Sequence, residues 1–409
     1  MKYISRHMEN HILELSKSYS AILLTGPRQA GKTTMLRELT EKENIGRRYV
    51  TLDDLSERDL AKNDPVLFLQ LHQPPVLIDE VQYAPEIFNY IKIHIDEYHN
   101  PGDFWMTGSQ IFHLMRSVQE SLAGRVALLH MSPMSQREIN GAPCIPFTTD
   151  MERLLTERDQ IKPVTTPELF ERLWRGSMPG LISGQMPDRN VFYSSYLSAY
   201  IERDVRELSG SLDALKFNRF VTAVAARCSQ LLNYNALAED ADIDIQTSKT
   251  WINVLETLGI IFMLHPFSNN VLKRTIKTPK VYFYDTGLVC YLTRWSSPEV
   301  AESGAMSGAL LENYTVSEIV KGYQNAGLEP YLYFYRDRDA KEIDVILEGD
   351  GKLCPMEIKK TATPDKRLTR VFKVIDKSPL QVGEGAILCM AEKLCAFDRN
   401  NLIIPIWMI

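Results

Sequence analysis

The run Gly26-Pro27-Arg28-Gln29-Ala30-Gly31-Lys32-Thr33 has the spacing G-x-x-x-x-G-K-[ST]. Glycines in such a run let the backbone bend closely enough to set amide N–H groups against phosphate oxygens. A helix continuing through Thr34 aims the positive end of its dipole at the same point. Lys32 is then placed for the β and γ phosphates, and the Thr33 hydroxyl is a ligand for Mg²⁺. Further along, Val76-Leu77-Ile78 ends on Asp79-Glu80. Asp79 suits a magnesium ligand acting through water, and Glu80 suits the group that polarises an attacking water. Two acids at a strand end would by themselves read as a solvated turn. Beside a phosphate loop they read as its catalytic half, with water as the acceptor.

Two further features belong to this chemistry. Phe104-Trp105-Met106-Thr107-Gly108-Ser109 is an apolar run ending in hydroxyls, and either Thr107 or Ser109, with Ser109 preferred, can face a γ-phosphate. An arginine that offsets charge on the transferred phosphoryl group has three candidates, Arg125, Arg203 and Arg206, and the sequence does not choose among them.

A second constellation lies near the C-terminus. Glu342-Ile343-Asp344-Val345 and Leu353-Cys354-Pro355-Met356-Glu357-Ile358-Lys359 read as two strands joined by a Gly-Asp-Gly turn. Alternation puts Glu357 and Lys359 on one face and Met356 and Ile358 on the other. An Asp followed by Glu-x-Lys is the arrangement of restriction-endonuclease-like sites. In those sites two carboxylates gather a divalent ion, and the lysine orients or deprotonates a water. That fold also places a helical glutamate ahead of the strands, which makes Glu312, in Ala309-Leu310-Leu311-Glu312, the further metal ligand beside Asp344 and Glu357. A solvated hairpin with alternating charge is the plainer interpretation of the same residues.

The elements that must position these groups follow from the hydropathy pattern. Short apolar runs at Ala21–Thr25, Arg48–Leu52, Pro75–Ile78, Phe104–Thr107 and Val126–Met131 alternate with helical stretches, the α/β pattern of strands buried on both faces. Residues 150–210 read as helices interrupted by Pro163, Pro167 and the turn Gly176–Gly180. Three helices fit Lys216–Ser229, Tyr234–Ala241 and Thr247–Leu258, with helix-turn-helix spacing, before an apolar strand and a wing around Lys273–Lys280. The remainder reads as helix, three strands, helix, strand. The resulting division is 1–145, 146–212, 213–285 and 286–409.

Composition narrows the classes. Of 409 residues, 44% are hydrophobic and 24% charged, which excludes a disordered chain. A net charge of −6 excludes attachment to nucleic acid by bulk positive charge, though not a local basic groove. No apolar stretch approaches the roughly 18 residues of a membrane span. The opening MKYISRHMENHILEL carries charge through its apolar positions and does not read as a secretory signal. Six scattered cysteines without a C-x-x-C pair fit a reducing cytoplasm rather than a disulfide framework or a zinc site. His7 and His11 share a helical face without the acid of a zinc motif.

Taken together, these residues resemble a prokaryotic family of AAA-type P-loop ATPases that carries a winged helix and a C-terminal restriction-endonuclease-like domain. The likeness rests on Gly26 to Thr33, Asp79-Glu80, Thr107-Gly108-Ser109, Leu122-Ala123-Gly124-Arg125, Tyr200-Ile201-Glu202-Arg203-Asp204-Val205, Tyr284-Asp285-Thr286-Gly287 and Asp344 with Glu357-x-Lys359. It implies a parallel sheet whose Thr107 strand lies between the two phosphate-site strands, a helical lid, and ATP with Mg²⁺ as the bound groups. The implied activity is hydrolysis of ATP to ADP and phosphate. The nucleotide state would control a nuclease-like domain acting on DNA or RNA, or else a catalytically silent domain that binds protein. An oligomer or a partner protein could supply the arginine finger. A winged helix raises the expectation of DNA reading, but between Asp213 and Leu264 the basic Lys216, Arg219, Arg227 and Lys249 are outnumbered by Asp213, Glu239, Asp240, Asp242, Asp244 and Glu256. Lys273, Arg274, Lys277 and Lys280 form the better basic patch.

Overall fold

The computed structural model describes residues 3–108, 122–209, 213–268, 278–337, 339 and 341–409. They form two compact units: Met1–Met134 with Thr257–Gly259 and Gln324–Gly327, and Ser135–Glu256 with Ile260–Tyr323 and Leu328–Ile409. The first unit ends ahead of the boundary expected at 145/146.

In the first unit, β1 (Ala21–Thr25), β2 (Arg48–Thr51), β3 (Val76–Asp79), β4 (Phe104–Thr107) and β5 (Val126–His130) form a five-stranded sheet in the order β2-β3-β4-β1-β5. All its pairings are parallel. The strands are apolar on both faces because both faces are covered. Leu23, Ile78 and Met106 pack with Phe68, Phe88 and Ile91 on one side. Ile22, Leu24, Leu77 and Trp105 pack with Met35, Leu36 and Leu39 on the other. As the resemblance implies, β4 lies between β1 and β3. In an open parallel sheet the crevice beyond the carboxyl ends of the strands is where ligands bind, and here it holds the Gly26 loop, Asp79-Glu80 and Thr107.

The second unit begins with short helices. Thr166–Arg175 is closed at its start by a capping box between Thr165 and Glu168, with a proline at its first positions. Pro167 therefore opens this helix, where its missing N–H costs nothing, rather than interrupting one. Helices Ala214–Ala226, Tyr234–Ala241 and Ile245–Thr257 follow, then β6 (Ile261–Pro266) and its antiparallel partner β7 (Lys280–Phe283). The remaining strands are β8 (Leu332–Arg336), β9 (Glu342–Gly349), β10 (Lys352–Lys359), β11 (Gln381–Val382), β12 (Gly385–Cys389), β13 (Cys395–Asp398) and β14 (Asn401–Pro405). With β6 and β7 they make a nine-stranded mixed sheet ordered β13-β14-β12-β10-β9-β8-β6-β7, with β11 added alongside β10.

Because β6 pairs with β7 on one edge and with β8 on the other, the hairpin after the three helices is continuous with the C-terminal sheet. The boundary expected at 285/286 is thus not a break in that sheet. Lys273, Arg274 and Lys277 lie outside the described residues. Lys280, expected on a solvated wing, is instead 3% exposed on β7. The turn joining β9 to β10 has Asp350 at φ 51° and Gly351 at φ 73°, the paired left-handed conformations of a tight hairpin turn.

Candidate functional site

The Gly26 loop is bent by three residues with positive φ: Gly26 at 138°, Gln29 at 59° and Gly31 at 93°. A Cβ on Gly26 would lie 2.1 Å from the Met131 carbonyl oxygen, so only glycine fits there. The helix starts at Lys32 rather than Thr34, and it runs to Glu43. The Lys32 ammonium is buried and donates to the carbonyls of Gly26 and Pro27, each at 2.9 Å.

Asp79 is the hub of the acid pair. Its Oδ1 accepts from the Thr33 hydroxyl at 2.7 Å and from the Thr107 hydroxyl, and its Oδ2 accepts from the Tyr49 hydroxyl at 3.2 Å. Burial, with Asp79 adding to it, raises the Tyr49 phenol above its ordinary range and keeps it a donor. Thr107 in turn accepts from the Glu80 backbone N–H at 3.1 Å. Glu80 adopts a left-handed backbone at φ 56°, and its carboxylate accepts from the Gln82 amide. Thr33, Asp79, Glu80 and Thr107 are therefore one hydrogen-bonded set. The Thr33 hydroxyl and the Asp79 carboxylate are hard oxygen donors, which is the ligand chemistry Mg²⁺ requires.

Three participants were not legible in sequence. Arg6, 5% exposed, donates from Nη1 to the Ala30 carbonyl at 2.8 Å and from Nη2 to the Ser132 carbonyl at 2.9 Å, clamping the loop to the chain beyond β5. Glu9 fixes that arginine's own segment by accepting from the Arg6 N–H, the Ser5 hydroxyl and the Tyr3 hydroxyl. His130, at the end of β5, is pushed down to about 4 by burial and by the nearby Lys32 charge, so it is neutral at physiological pH. Ser109 lies outside the described residues, as does the Arg203 side chain. Arg125 grips Asp96 through Nε and Nη2, the latter at 3.0 Å, and Arg206 is exposed.

In the second unit, Asp344, Glu357 and Lys359 meet. The Lys359 ammonium lies 2.8 Å from Asp344 Oδ2 and 2.6 Å from Glu357 Oε2, and the Ile358 N–H donates to Asp344 Oδ2 at 2.9 Å. Asp344 and Glu357 are both buried, and Glu357 Oε1 is enclosed without a hydrogen-bond partner. Burial, then the neighbouring Asp344, pushes the Glu357 carboxyl up to about 8. Burial would lower the Lys359 ammonium, but Asp344 and Glu357 outweigh it and hold the group above its ordinary range.

Glu312 is held by partners outside the Asp344–Glu357–Lys359 contacts. Its Oε1 accepts from Lys280 at 3.1 Å and from the Tyr282 hydroxyl at 2.7 Å, and Lys280 also pairs with Glu342 at 2.7 Å. Among the described residues no three His, Cys, Asp or Glu side chains are grouped so as to hold a metal ion. Glu312 still lies near the cluster, since burial and then the Asp344 charge raise its carboxyl above the ordinary range, while the buried Lys280 and the half-buried Lys359 occupy these carboxylates. Asp285 of the Tyr284–Gly287 motif has a structural role: it caps Thr286–Leu292 and accepts from the Ser177 N–H at 2.9 Å and the Tyr193 hydroxyl at 2.6 Å.

Comparison with known proteins adds to this geometry. Residues 166–299 and 307–409 match two domains of unknown function, DUF8612 and DUF4143. The uncharacterised proteins Rv2008c of Mycobacterium tuberculosis and Mb2031c of Mycobacterium bovis are each 29% identical over 387 residues, covering 94% of this chain and 79% of the relative. Among solved structures, the Walker-type ATPase PABY2304 of Pyrococcus abyssi is 14% identical with a TM-score of 0.41, covering 70% of this chain and 94% of that one. The Thermotoga maritima RuvB Holliday junction branch migration motor is 15% identical with a TM-score of 0.33, covering 63% and 89%. No described helix is long and apolar enough to cross a membrane. Residues 18–140 match the AAA domain family, and the phosphate loop and acid pair both lie within the matched stretch.

Proposed function

We propose that the chain hydrolyses ATP to ADP and phosphate at the carboxyl ends of β1, β3 and β4. One observation carries this: Asp79 is hydrogen-bonded to both Thr33 and Thr107, and Thr107 to the Glu80 N–H, so loop, metal-binding acid and water-orienting acid are mutually fixed. Loop amides and Lys32 bind the phosphates, with Lys32 exchanging its two carbonyl partners for phosphate oxygens. Thr33 and Asp79 would hold Mg²⁺, which when bound offsets charge on the β and γ phosphates. Glu80, steadied by Gln82, orients and polarises the attacking water. Lys32→Ala removes a charge-assisted contact of roughly 3 kcal/mol, so ATP affinity is expected to fall on the order of 100-fold in calorimetric titration. Unchanged affinity would remove the phosphate-loop assignment.

A second activity is favoured by the convergence of Asp344, Glu357 and Lys359 and by the unpartnered Glu357 Oε1. In this proposal the C-terminal unit acts on nucleic acid, with Asp344 and Glu357 as the residues that would hold a divalent ion and Lys359 as the group that orients water. Such an ion would supply Lewis-acid activation of a phosphodiester. The nucleotide state of the first unit then governs the second, and since the two sites share no residue the control acts through the chain's arrangement. If the Lys280 and Lys359 pairings are permanent, the same unit is a silent scaffold that binds protein.

A further inference from the structure

We infer that the C-terminal unit carries a binding groove for the phosphate backbone of nucleic acid, built on the 3₁₀ helix Lys366–Ile375 and separate from the carboxylate cluster. A cavity of about 690 Å³ lies along this helix, and its lining includes Lys352, Arg367, Arg370 and Lys373. Three residues per turn divide the helix into ridges. Leu368, Val371 and Val374 form one ridge and pack against the apolar cluster that includes Phe267, Ile343 and Leu353. Phe372 and Ile375 are buried from a second ridge. The third consists of Arg367, Arg370 and Lys373, all exposed. The apolar ridges thus fix the helix so that its basic ridge faces outward over the cavity.

The charges there are not used up within the protein. Lys366 is paired with Asp398 at 2.7 Å, and Arg367 with Asp365 at 2.6 Å. Lys352, Arg370 and Lys373 make no ion pair or side-chain hydrogen bond among the described residues. The acids lining the cavity are Asp376, Glu384 and Asp398, the last already neutralised. On a chain of net charge −6, this local excess of cations is complementary to a polyanion. Successive ridge cations are spaced by about 6 Å, against about 3.4 Å of axial rise per phosphate along one strand, so each can face every second phosphate.

The groove also lies on the relevant side of the sheet. Leu353, Pro355, Glu357 and Lys359 share one face of β10 by alternation. Leu353 belongs to the apolar cluster the helix packs on and Pro355 lines the cavity, so the cavity lies on the face of β10 that also carries Glu357 and Lys359. The inference rests on the nucleic-acid function proposed for this unit, but not on cleavage.

The test uses the full chain and a labelled DNA of about 20 nucleotides, single-stranded and duplex, with anisotropy followed across salt. Lys352→Gln/Arg370→Gln/Lys373→Gln is expected to weaken duplex binding at least tenfold and to reduce the log–log salt slope by about 2–3, near 0.9 per lost contact. Arg370→Gln alone should reduce it by about 1, which guards against misfolding of the triple variant. An unchanged slope, no binding of either DNA form by wild type at low salt, or competition by poly-glutamate equal to that by unlabelled DNA would each overturn the groove. Cleavage with Mg²⁺ or Mn²⁺ is scored separately. Binding without cleavage removes the carboxylate activity and leaves the groove standing, whereas cleavage with an unchanged salt slope in the triple variant does the reverse.

Discussion

Asp79 accepts from three hydroxyls, on Thr33, Tyr49 and Thr107, and each comes from a different stretch of the chain. Thr33 and Asp79 were legible because their spacing from apolar runs is local, and Thr107 was legible only as the alternative to the preferred Ser109. Tyr49, Arg6 and Gln82 were not, since nothing in their neighbours tells which carbonyl or carboxylate the fold will bring to them. The same holds for Lys280, which looked like a wing residue until burial paired it with Glu312 and Glu342. His130 permits a pH prediction at this scale. Its folded value of about 4 lies below its ordinary 6.5, so between those values the unfolded chain binds more protons. The stabilisation is present above pH 6.5 and is lost as pH falls toward 4, amounting to at most about 3 kcal/mol at 1.36 kcal/mol per unit. The wild-type urea midpoint should therefore fall more steeply over that range than that of His130→Gln. Parallel curves would contradict the assignment.

The strands of the first sheet were predictable to within a residue, since runs such as Ala21–Thr25 and Phe104–Thr107 are apolar, short and bounded by polar turns. Of the helices in 214–257, Tyr234–Ala241 has the expected limits, while the limits of the other two shift by one to three residues, because a cap such as Asp213 acts through side-chain bonds that pattern alone does not rank. The strands β11, β13 and β14 were missed. β14 is buried in the C-terminal sheet, but it is only five residues long and β13 has mostly surface character, so neither gives a clear period. The basic ridge escaped notice because a 3₁₀ helix repeats every three residues and scatters its cations under an α-helical count. At the loop that ends β1, Gly26→Ala combines a backbone conformation disfavoured for alanine with a contact of 2.1 Å to a carbonyl oxygen. Strain of about 1–3 kcal/mol, or a displaced loop, follows. We expect a lower melting temperature together with loss of ATP binding, and normal binding by this variant would show that the loop does not need the bend described.

Over the whole chain, charge is distributed by task. A net −6 conceals, among the described residues, an exposed basic ridge, and lysines such as the buried Lys280 and the half-buried Lys359 that neutralise carboxylates. The division into two units places the phosphate loop and acid pair in one and the Asp344 cluster in the other, so each chemistry can be removed without touching the other's residues. Sequence motifs disclosed both clusters, but not that Glu312 would be held by Lys280 and Tyr282, partners set by a strand far from it in the chain. Control of one unit by the other has meaning only if the first turns over nucleotide, and in the proposed mechanism Glu80 is the residue on which turnover depends. The most direct measurement is single-turnover ATP hydrolysis by Glu80→Gln alongside its ATP affinity. We predict affinity within a few-fold of wild type and hydrolysis slowed by roughly 10²–10⁴-fold, the usual contribution of a positioned base. Hydrolysis at the wild-type rate with ATP bound would contradict the account.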